Sequence, residues 1–503
     1  MKPAPSPRIL SACVVRVLLV NPPPFQRVDR YDTPDFVRLG LASLAAQLRH
    51  DRACDVRIVD AKFERLTYAQ VIARVRDLRP DVVGLTAFTN EIKPAARVAR
   101  MVKTLSPSIV TVIGGAHVTA LPRETLVEFP EFDVGVVGEG ERTFRELVLT
   151  KAASGGRLGT VAGLVHREDG EPALSEERER ILDQDEIPIP AWDLLPASPR
   201  YLFMTQRGCP FRCTFCANPN GRVVRKRSVA RVMEELDYLI ARFSPRELYV
   251  CDEVFTSEPE RTHALLDAMI AARVGQRLRW SAQTHVNLVD REIFRKMKAA
   301  GCFIVGLGIE TGDPEIMRKM RKGITQQRVI EARRAARSVG LAVESLMIIG
   351  HPDETWQSAM RTIDFAAQLD PERPIFGVMV PYPGTHVAEL ARRGEGGYRL
   401  LSTDWNDYNK QIGHAMEFEN LSRRDLEALQ LLAYLQVFVK NGRWADLARF
   451  VWEYRSEGWA VVDKLFLGRR PPPVEAFDDE PARASPYFEG VQARPRRSLP
   501  ITG

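Results

Sequence analysis

Two long stretches of this chain alternate short apolar runs with amphipathic helical segments, and that alternation confines it to parallel α/β architecture. In the first stretch the runs fall at 14–20, 56–59, 82–86, 109–113 and 134–137, with helical periodicity at 39–49, 68–78, 94–105 and 123–129. A continuous Val/Ile/Leu run presents no polar face to water. Each strand must therefore be buried on both sides, and the helices between strands supply the crossovers. Residues 14–149 read as a five-stranded, doubly wound domain. The whole chain has 503 residues, 45% hydrophobic and 27% charged, enough for about three domains with their own cores.

Charge and hydropathy exclude several classes. With 71 basic and 65 acidic side chains the net charge is +6, too small over this length to point to nucleic acid. No run reaches the ~20 apolar residues that span a bilayer. An apolar run at 9–20 follows Lys2 and Arg8, but Arg16 interrupts it and Asn21-Pro22-Pro23-Pro24 follows it. It reads as a buried first strand, not a signal peptide, and the protein reads as cytoplasmic.

In a doubly wound sheet the ligand lies beyond the carboxyl ends of the strands. There the sequence places Asn21-Pro22-Pro23, Thr86-Ala87-Phe88-Thr89, Gly114-Gly115-Ala116-His117 and Gly138-Glu139-Gly140-Glu141. Small, Gly-rich turns let a large flat ligand approach the backbone, whose N–H groups can meet its amides or phosphate. The same residues would also serve as plain tight turns. No G-x-G-x-x-G follows the first run, which disfavours a dinucleotide. His117 reads either as a ligand or as a simple polar contact. Residues 150–196 read as a linker, with turns at Gly155-Gly156 and Gly170-Glu171-Pro172 around a short run at 161–166. It ends in the extended Ile187-Pro188-Ile189-Pro190-Ala191-Trp192.

The sharpest local signal follows. Seven cysteines without an even framework exclude a disulfide scaffold, and three of them crowd into Arg207-Gly208-Cys209-Pro210-Phe211-Arg212-Cys213-Thr214-Phe215-Cys216. The spacing C-x3-C-x2-C puts three thiolates in one loop. They can hold three corners of a four-iron cluster and leave its fourth iron open to an outside ligand. A closed zinc site would need a fourth side chain, and His166 and Cys251 are distant in sequence.

This loop, with Phe215 immediately before its last cysteine, resembles the signature of radical S-adenosylmethionine (SAM) enzymes. The domain ahead of it resembles a Rossmann-like cobalamin-binding domain. Together they are similar to cobalamin-dependent radical SAM proteins over residues 14–390. Downstream, apolar runs recur at 201–206, 247–251, 279–283, 303–308, 342–349 and 375–380, with helical periodicity at 229–243, 259–272, 291–299, 326–339 and 355–369. Six such units make a partial (β/α)6 TIM-type barrel over 197–395, as the resemblance implies.

Active residues of such a barrel lie at the carboxyl ends of its strands. By resemblance, Asp252 and Glu253 hold the methionine amino group of SAM, and Gln283 and Glu310 serve its ribose or carboxylate. Phe215 packs beside the adenine, and the 350–354 turn, opening at Gly350, closes over it. Acidic residues ahead of helices also act as caps, Glu354-Thr355 among them. His285 stands where many relatives carry arginine, which leaves the third strand's assignment open. Cys13, Cys54, Cys251 and Cys302 read as core thiols. Thr86, Gly114, Gly115, Gly138, Glu139 and Gly140 are the residues expected to meet cobalamin. The Asp-x-His-x-x-Gly motif that supplies a lower histidine ligand is absent, so the resemblance implies a histidine-off corrin.

Residues 396–468 read as a small helical domain over the barrel mouth, with an apolar stripe of Leu426, Leu429, Leu432, Leu435 and Val439. Tyr454 and Trp459 are among its aromatics. Residues 1–13 read as an extension, and the Pro/Arg-rich 469–503 as disordered. The cofactors implied are a [4Fe-4S] cluster, SAM and cobalamin. An electron donor such as flavodoxin or ferredoxin and a small-molecule substrate complete the set. The implied reaction is methylation of an unactivated carbon through a 5′-deoxyadenosyl radical. A non-methylating cyclisation or rearrangement would use the same parts. A transfer-RNA methylthiotransferase would need three further cysteines in the N-terminal domain, where Cys13 and Cys54 stand alone. A non-catalytic cobalamin or iron–sulfur sensor is disfavoured by the acidic strand ends beside an open iron.

Overall fold

The Val/Ile runs of the first domain pair into one parallel sheet. β1 (Val15–Asn21), β2 (Cys54–Asp60), β3 (Val82–Thr86), β4 (Val110–Gly114) and β5 (Val134–Val136) lie in the order β2-β1-β3-β4-β5. The structure, a computed structural model, describes residues 14–24, 36–49, 54–152, 158–409, 414–453, 455 and 483–491. Cys13 and the rest of 1–13, Gly155-Gly156, Tyr454, Trp459 and most of 469–503 lie outside the described residues. Helices α1 (Leu39–Arg49), α2 (Tyr68–Leu78), α3 (Ile92–Leu105), α4 (Ala116–Ala120), α5 (Pro122–Glu128) and α6 (Gly140–Ala152) belong to this sheet.

Side chains on β1 alternate between two cores, as a period of two requires. Leu18 and Val20 join Val71, Val75 and Val98 of α2 and α3. Val17 and Leu19 join Leu41, Ala45 and Phe144 of α1 and α6. Thr67 starts α2 with a reciprocal bond to Gln70.

The sheet has two strands beyond the five expected. β6 (Leu164–Glu168) and β7 (Glu171–Leu174) form an antiparallel hairpin against β5. The left-handed Gly170 (φ 92°) makes its turn. The hairpin comes from the stretch read as linker, because the free edge of β5 offers backbone groups that a neighbouring strand can pair.

The chain passes from β2 across β1 to β3, so a crevice opens between the carboxyl ends of β1 and β3. Glu91 lies buried there, 2.9 Å from both Arg38 and Lys62. Burial pushes its carboxyl up, but the two cations and the Phe88 N–H outweigh that and hold it at about 2. A depressed carboxylate stabilises the fold above its ordinary pKa, and the contribution fades as pH falls towards the folded value. The full shift corresponds to about 3 kcal/mol. Glu91→Gln is expected to unfold at lower urea than wild type at pH 7, with more than half of the difference gone at pH 3. A gap that stays constant between those pH values would contradict this origin.

The second sheet is also parallel. β8 (Arg200–Phe203) is followed by the short ribbon β9 (Gln206–Arg207) and β10 (Arg225–Lys226). Then come β11 (Glu247–Val250), β12 (Arg279–Thr284), β13 (Cys302–Glu310), β14 (Ala342–Ile349) and β15 (Arg373–Val378). β8 and β11 to β15 pair in chain order as a six-stranded partial barrel, while β9 and β10 pair antiparallel apart from it. The helices between and after the strands are α7 (Val229–Phe243), α8 (Pro259–Ala271), α9 (Val274–Arg277), α10 (Arg291–Ala299), α11 (Pro314–Lys319), α12 (Gln326–Ser338), α13 (Trp356–Leu369) and α14 (His386–Arg393).

Helix α15 (Arg423–Lys440) lies along β15 rather than over the mouth. Gln430 donates to the Phe376 carbonyl (2.7 Å) and the Tyr434 hydroxyl accepts the Phe376 N–H (3.1 Å). Helix side chains thus satisfy an edge strand that would otherwise invite pairing. The buried face of α15 is Leu426, Leu429, Ala433 and Val437, and Val439 is exposed, which corrects the expected stripe. Contact with both α13 and β15 selects that face.

Two further expectations change. Residues 396–468 are not all helix, since β16 (Tyr398–Leu400) and β17 (Met416–Phe418) pair antiparallel ahead of α15 and α16 (Trp444–Glu453). Within the tail, residues 483–491 are packed rather than disordered. Phe488 lies 4.8 Å from the Trp405 ring and Arg483 pairs with Glu131. Tyr487 and Phe488 supply the apolar area that the Pro/Arg composition hid. Among the described residues no helix is long and apolar enough to cross a membrane.

Candidate active site

The cysteine loop hangs from β9 and returns through β10. Gly208 starts it at φ 97°, where a Cβ would sit 2.2 Å from the Val223 carbonyl, so glycine is required. The Cys209 N–H donates to Gly221 O (3.0 Å), and the Asn218 side chain donates to the carbonyls of Cys209 (2.9 Å) and Gly221 (2.8 Å). Thr214 is gripped from two sides, by Met320 O after α11 (3.1 Å) and by the Val387 N–H of α14 (3.3 Å).

The thiols of Cys209, Cys213 and Cys216 are all pushed up, and neighbouring thiols add to the rise at Cys209 and Cys213. Burial is the larger cause, and it takes Cys213 up to about 11. Among the described residues no three metal-ligating side chains converge on a single-ion site. Arg222 and Lys322 lie near enough to offset thiolate charge. This donor set fits a [4Fe-4S] cluster with one open iron.

His285, at the end of β12, buttresses the loop. Its ring stacks on Phe211 at 3.8 Å and 6°. Nδ1 accepts the Asn287 N–H (3.2 Å), so Nε2 carries the proton and donates to Lys322 O (3.1 Å). Burial, helped by Lys322, lowers it to about 4 and keeps it neutral.

Asp252 and Glu253 are adjacent in sequence but do different work. Asp252 is buried and accepts the Thr205 N–H (2.7 Å), the Thr205 hydroxyl (2.6 Å) and the Gln206 N–H (3.2 Å). These three bonds tie the Asp252 carboxylate to the kink between β8 and β9. Burial raises it to about 6 despite those bonds. Glu253 is half-buried and accepts from both ends of the cysteine loop, from the Gly208 N–H (3.1 Å) and the Asn220 side chain.

The remaining barrel residues gather near the loop. Gln283 lies across Gly306, where a Cβ would come within 2.9 Å of its Cγ. Glu310 occupies the left-handed region at φ 68° and pairs with Lys322 at 2.5 Å. A non-glycine residue held there is strained, which is common where a side chain must be aimed. Phe215 meets His351 edge-on at 5.8 Å. The buried Glu354 carboxylate accepts the N–H groups of Gly350 and His351, and burial still lifts it to about 7. A cavity of about 140 Å³ lies beside Thr214, bounded by Met320, Arg321, His351 and Pro352. Cys251 donates to Phe203 O (3.3 Å) and Cys302 is buried, as core thiols should be.

The carboxyl edge of the first sheet faces this barrel. Phe36 lies 5.9 Å from Tyr249 of β11, and Arg38 covers the half-exposed Phe88 ring at 4.4 Å. A Cβ at Gly138 would meet nothing within 4 Å, and one at Gly114 only Leu85 O at 3.9 Å. Gly115 (φ 108°) lies against Ala87, Gly140 opens α6, and Thr86 is half-buried beside them. The space in front of Gly138 and Gly114 fits a broad flat ligand. Glu139 departs from the expectation, because Arg225 and Arg207 occupy its carboxylate. Burial raises Glu139, but the two guanidiniums outweigh it and hold it below the ordinary range. His117 is buried edge-on to Trp405 at 4.9 Å, and burial lowers it to about 3.

The radical SAM superfamily model matches residues 203–366 and the B12 binding domain model matches residues 32–148. An uncharacterized methyltransferase of Pyrococcus horikoshii is 36% identical over 437 residues, 85% of this chain and 93% of that protein. The chain belongs to the cobalamin-dependent radical SAM methyltransferase family. This radical SAM enzyme shares its fold with TsrM of Kitasatospora setae, solved with cobalamin and a [4Fe-4S] cluster bound. That likeness has a TM-score of 0.67 at 19% identity, over 85% of this chain and 91% of TsrM. The anaerobic magnesium-protoporphyrin IX monomethyl ester cyclase of Rubrivivax gelatinosus is 28% identical over 387 residues, 73% of this chain and 68% of the cyclase. The cofactors of the family member are the cluster, SAM and cobalamin. Sequence reasoning missed Arg207, Arg225 and Lys322 as site neighbours. Their only signal was positive charge close to the cysteines.

Proposed function

We propose that this radical SAM enzyme methylates an unactivated carbon of a small molecule held between the barrel mouth and the glycine cradle. The observation that carries the reading is the meeting of the two parts: the cradle at Gly138–Gly140 and the cysteine loop from Gly208 abut through Glu139 and Arg207. Cys209, Cys213 and Cys216 would hold three irons. When bound, the cluster supplies the electron that cleaves SAM, and the corrin supplies the methyl group.

The chain's own residues bind and orient. Asp252 and Glu253, at the carboxyl end of β11, would receive the SAM ammonium, and Lys322 would leave Glu310 for its carboxylate. Gln283, over Gly306, reaches for the ribose. The cavity between Thr214 and His351, with Phe215 alongside, supports the adenine reading of the 350–354 turn. Thr86, Gly114, Gly115, Gly138 and Gly140 would receive the corrin. His117, buried edge-on against Trp405, would not join them. Electrons would come from a flavodoxin- or ferredoxin-like donor, which with three reduced thiols fits a cytoplasmic setting.

The test is incubation of the anaerobically reconstituted enzyme with a metabolite extract and SAM carrying a deuterated methyl group. A product that gains one labelled methyl group, with 5′-deoxyadenosine and S-adenosylhomocysteine formed alongside, is expected. The similarity to a cyclase supports a second reading, oxidative cyclisation. An unlabelled product that has lost hydrogens would establish that outcome instead.

A further inference from the structure

Four charges meet between the two sheets, Glu141 and Arg225 buried and Glu139 and Arg207 half-buried, and neither the SAM reading nor the corrin reading uses them. Glu139, in the turn between β5 and α6, accepts Arg225 on both oxygens (2.7 Å each) and Arg207 on one (3.2 Å). Glu141 accepts Arg207 at 2.5 Å. The Arg225 side chain is only 2% exposed. Two acids and two bases cancel, which is what lets such a set be buried.

Both sides of the set are attached to cofactor-facing backbone. Arg207 and Arg225 oppose each other across β9 and β10, the strands that enter and leave the cysteine loop. Arg225 also donates to Asn220 O (3.0 Å) and Ile181 O (2.9 Å). Glu139 stands between Gly138 and Gly140 of the open cradle, and the Gly138 N–H is pinned by the Thr119 hydroxyl (3.1 Å). A bidentate guanidinium–carboxylate pair fixes direction as well as distance.

We propose that Glu139, Glu141, Arg207 and Arg225 form an interdomain clamp that sets the separation and tilt of the corrin cradle relative to the cysteine loop. This rests on the function proposed above, and makes the four positioning residues for methyl transfer between SAM and corrin. Group transfer is sensitive to such placement, with a shift of about 1 Å costing on the order of 100-fold.

Two full-length variants test it: E139Q, and E139Q/R225Q, which removes both charges so that no orphan remains if the single variant folds poorly. In cofactor-free protein, hydrogen exchange at residues 138–141 and 206–208 is expected to accelerate in both, while β3 and β13 keep their wild-type rates. In loaded protein, two substrate-independent reactions separate the roles. Reductive cleavage with titanium(III) citrate breaks the S–C5′ bond of SAM at the cluster alone and gives methionine and, after hydrogen abstraction, 5′-deoxyadenosine. Methylation of titanium-reduced corrin breaks the S–CH3 bond, forms a Co–CH3 bond and releases S-adenosylhomocysteine, so it needs both sides aligned. Corrin occupancy and cleavage are expected to stay near wild type, with methylation slower by about tenfold or more. Unchanged exchange, or equal loss of both reactions, would overturn the clamp. Lost corrin occupancy would return Glu139 to corrin binding and overturn it too. A wild type that neither cleaves SAM nor binds corrin would refute the proposed function, while the exchange result still decides the clamp.

Discussion

Cys213→Ala is expected to yield a folded protein that neither develops iron–sulfur colour nor cleaves SAM. In the proposed site each of the three cysteines would hold one iron, so removing one would leave a second corner unligated and the cube unsupported. 5′-Deoxyadenosine formation should fall by on the order of 1000-fold or more, the loss of a whole catalytic group rather than of one contact. The loop is anchored by Gly208, Asn218 and Thr214, not by the Cys213 thiol, so metal-free stability should change by less than about 0.5 kcal/mol. Cys302→Ala is the contrasting control. That thiol is buried in the barrel core, so its loss should lower stability and keep the colour. A brown, cleavage-competent Cys213→Ala would refute the three-cysteine site.

Trp405→Ala is expected to destabilise the protein by about 3–5 kcal/mol, read as a lower urea midpoint. The ring is fully buried among His117 (4.9 Å), Tyr408 (5.1 Å), Tyr487 (5.7 Å) and Phe488 (4.8 Å). Its indole N–H donates to both oxygens of Glu128, at 3.0 and 2.9 Å. Truncation opens a cavity, removes a donor from a buried carboxylate, and strips residues 483–491 of the ring that Tyr487 and Phe488 pack on, leaving Arg483 on Glu131. Trp405→Phe separates the two effects. It keeps most of the ring area and should cost about 1–3 kcal/mol for the lost donor. Proteolysis near residue 483 should become fast in the Ala variant alone. A cost below about 1 kcal/mol for Trp405→Ala would mean that the surrounding rings can collapse into the space.

The differences between expectation and structure fall along a physical line. Periodicity is a local property, so the runs at 82–86 and 342–349 were readable without knowing what covers them. The cysteine spacing is local too, and the donor set needs no distant partner to state its chemistry. A carboxylate's role depends on what stands opposite it. Asp252 and Glu253 look alike in sequence, yet one is bonded to the kink at Thr205 and the other to the cysteine loop. Likewise Val439 lies on a plausible stripe of α15, but contact with α13 and β15 puts Val437 inside instead.

By itself, then, the order of residues determined two parallel sheets, the three-cysteine loop and the glycine turns at the first sheet's edge. These follow from hydrophobic period, thiol spacing and backbone freedom, all expressed within a few residues. Only the tertiary structure decided that Glu139 pairs with Arg225, 86 positions away, and that Trp405 meets Glu128, 277 positions away. Charge pairing and aromatic burial are settled by which surfaces the folded sheets bring together, and no local pattern encodes that choice.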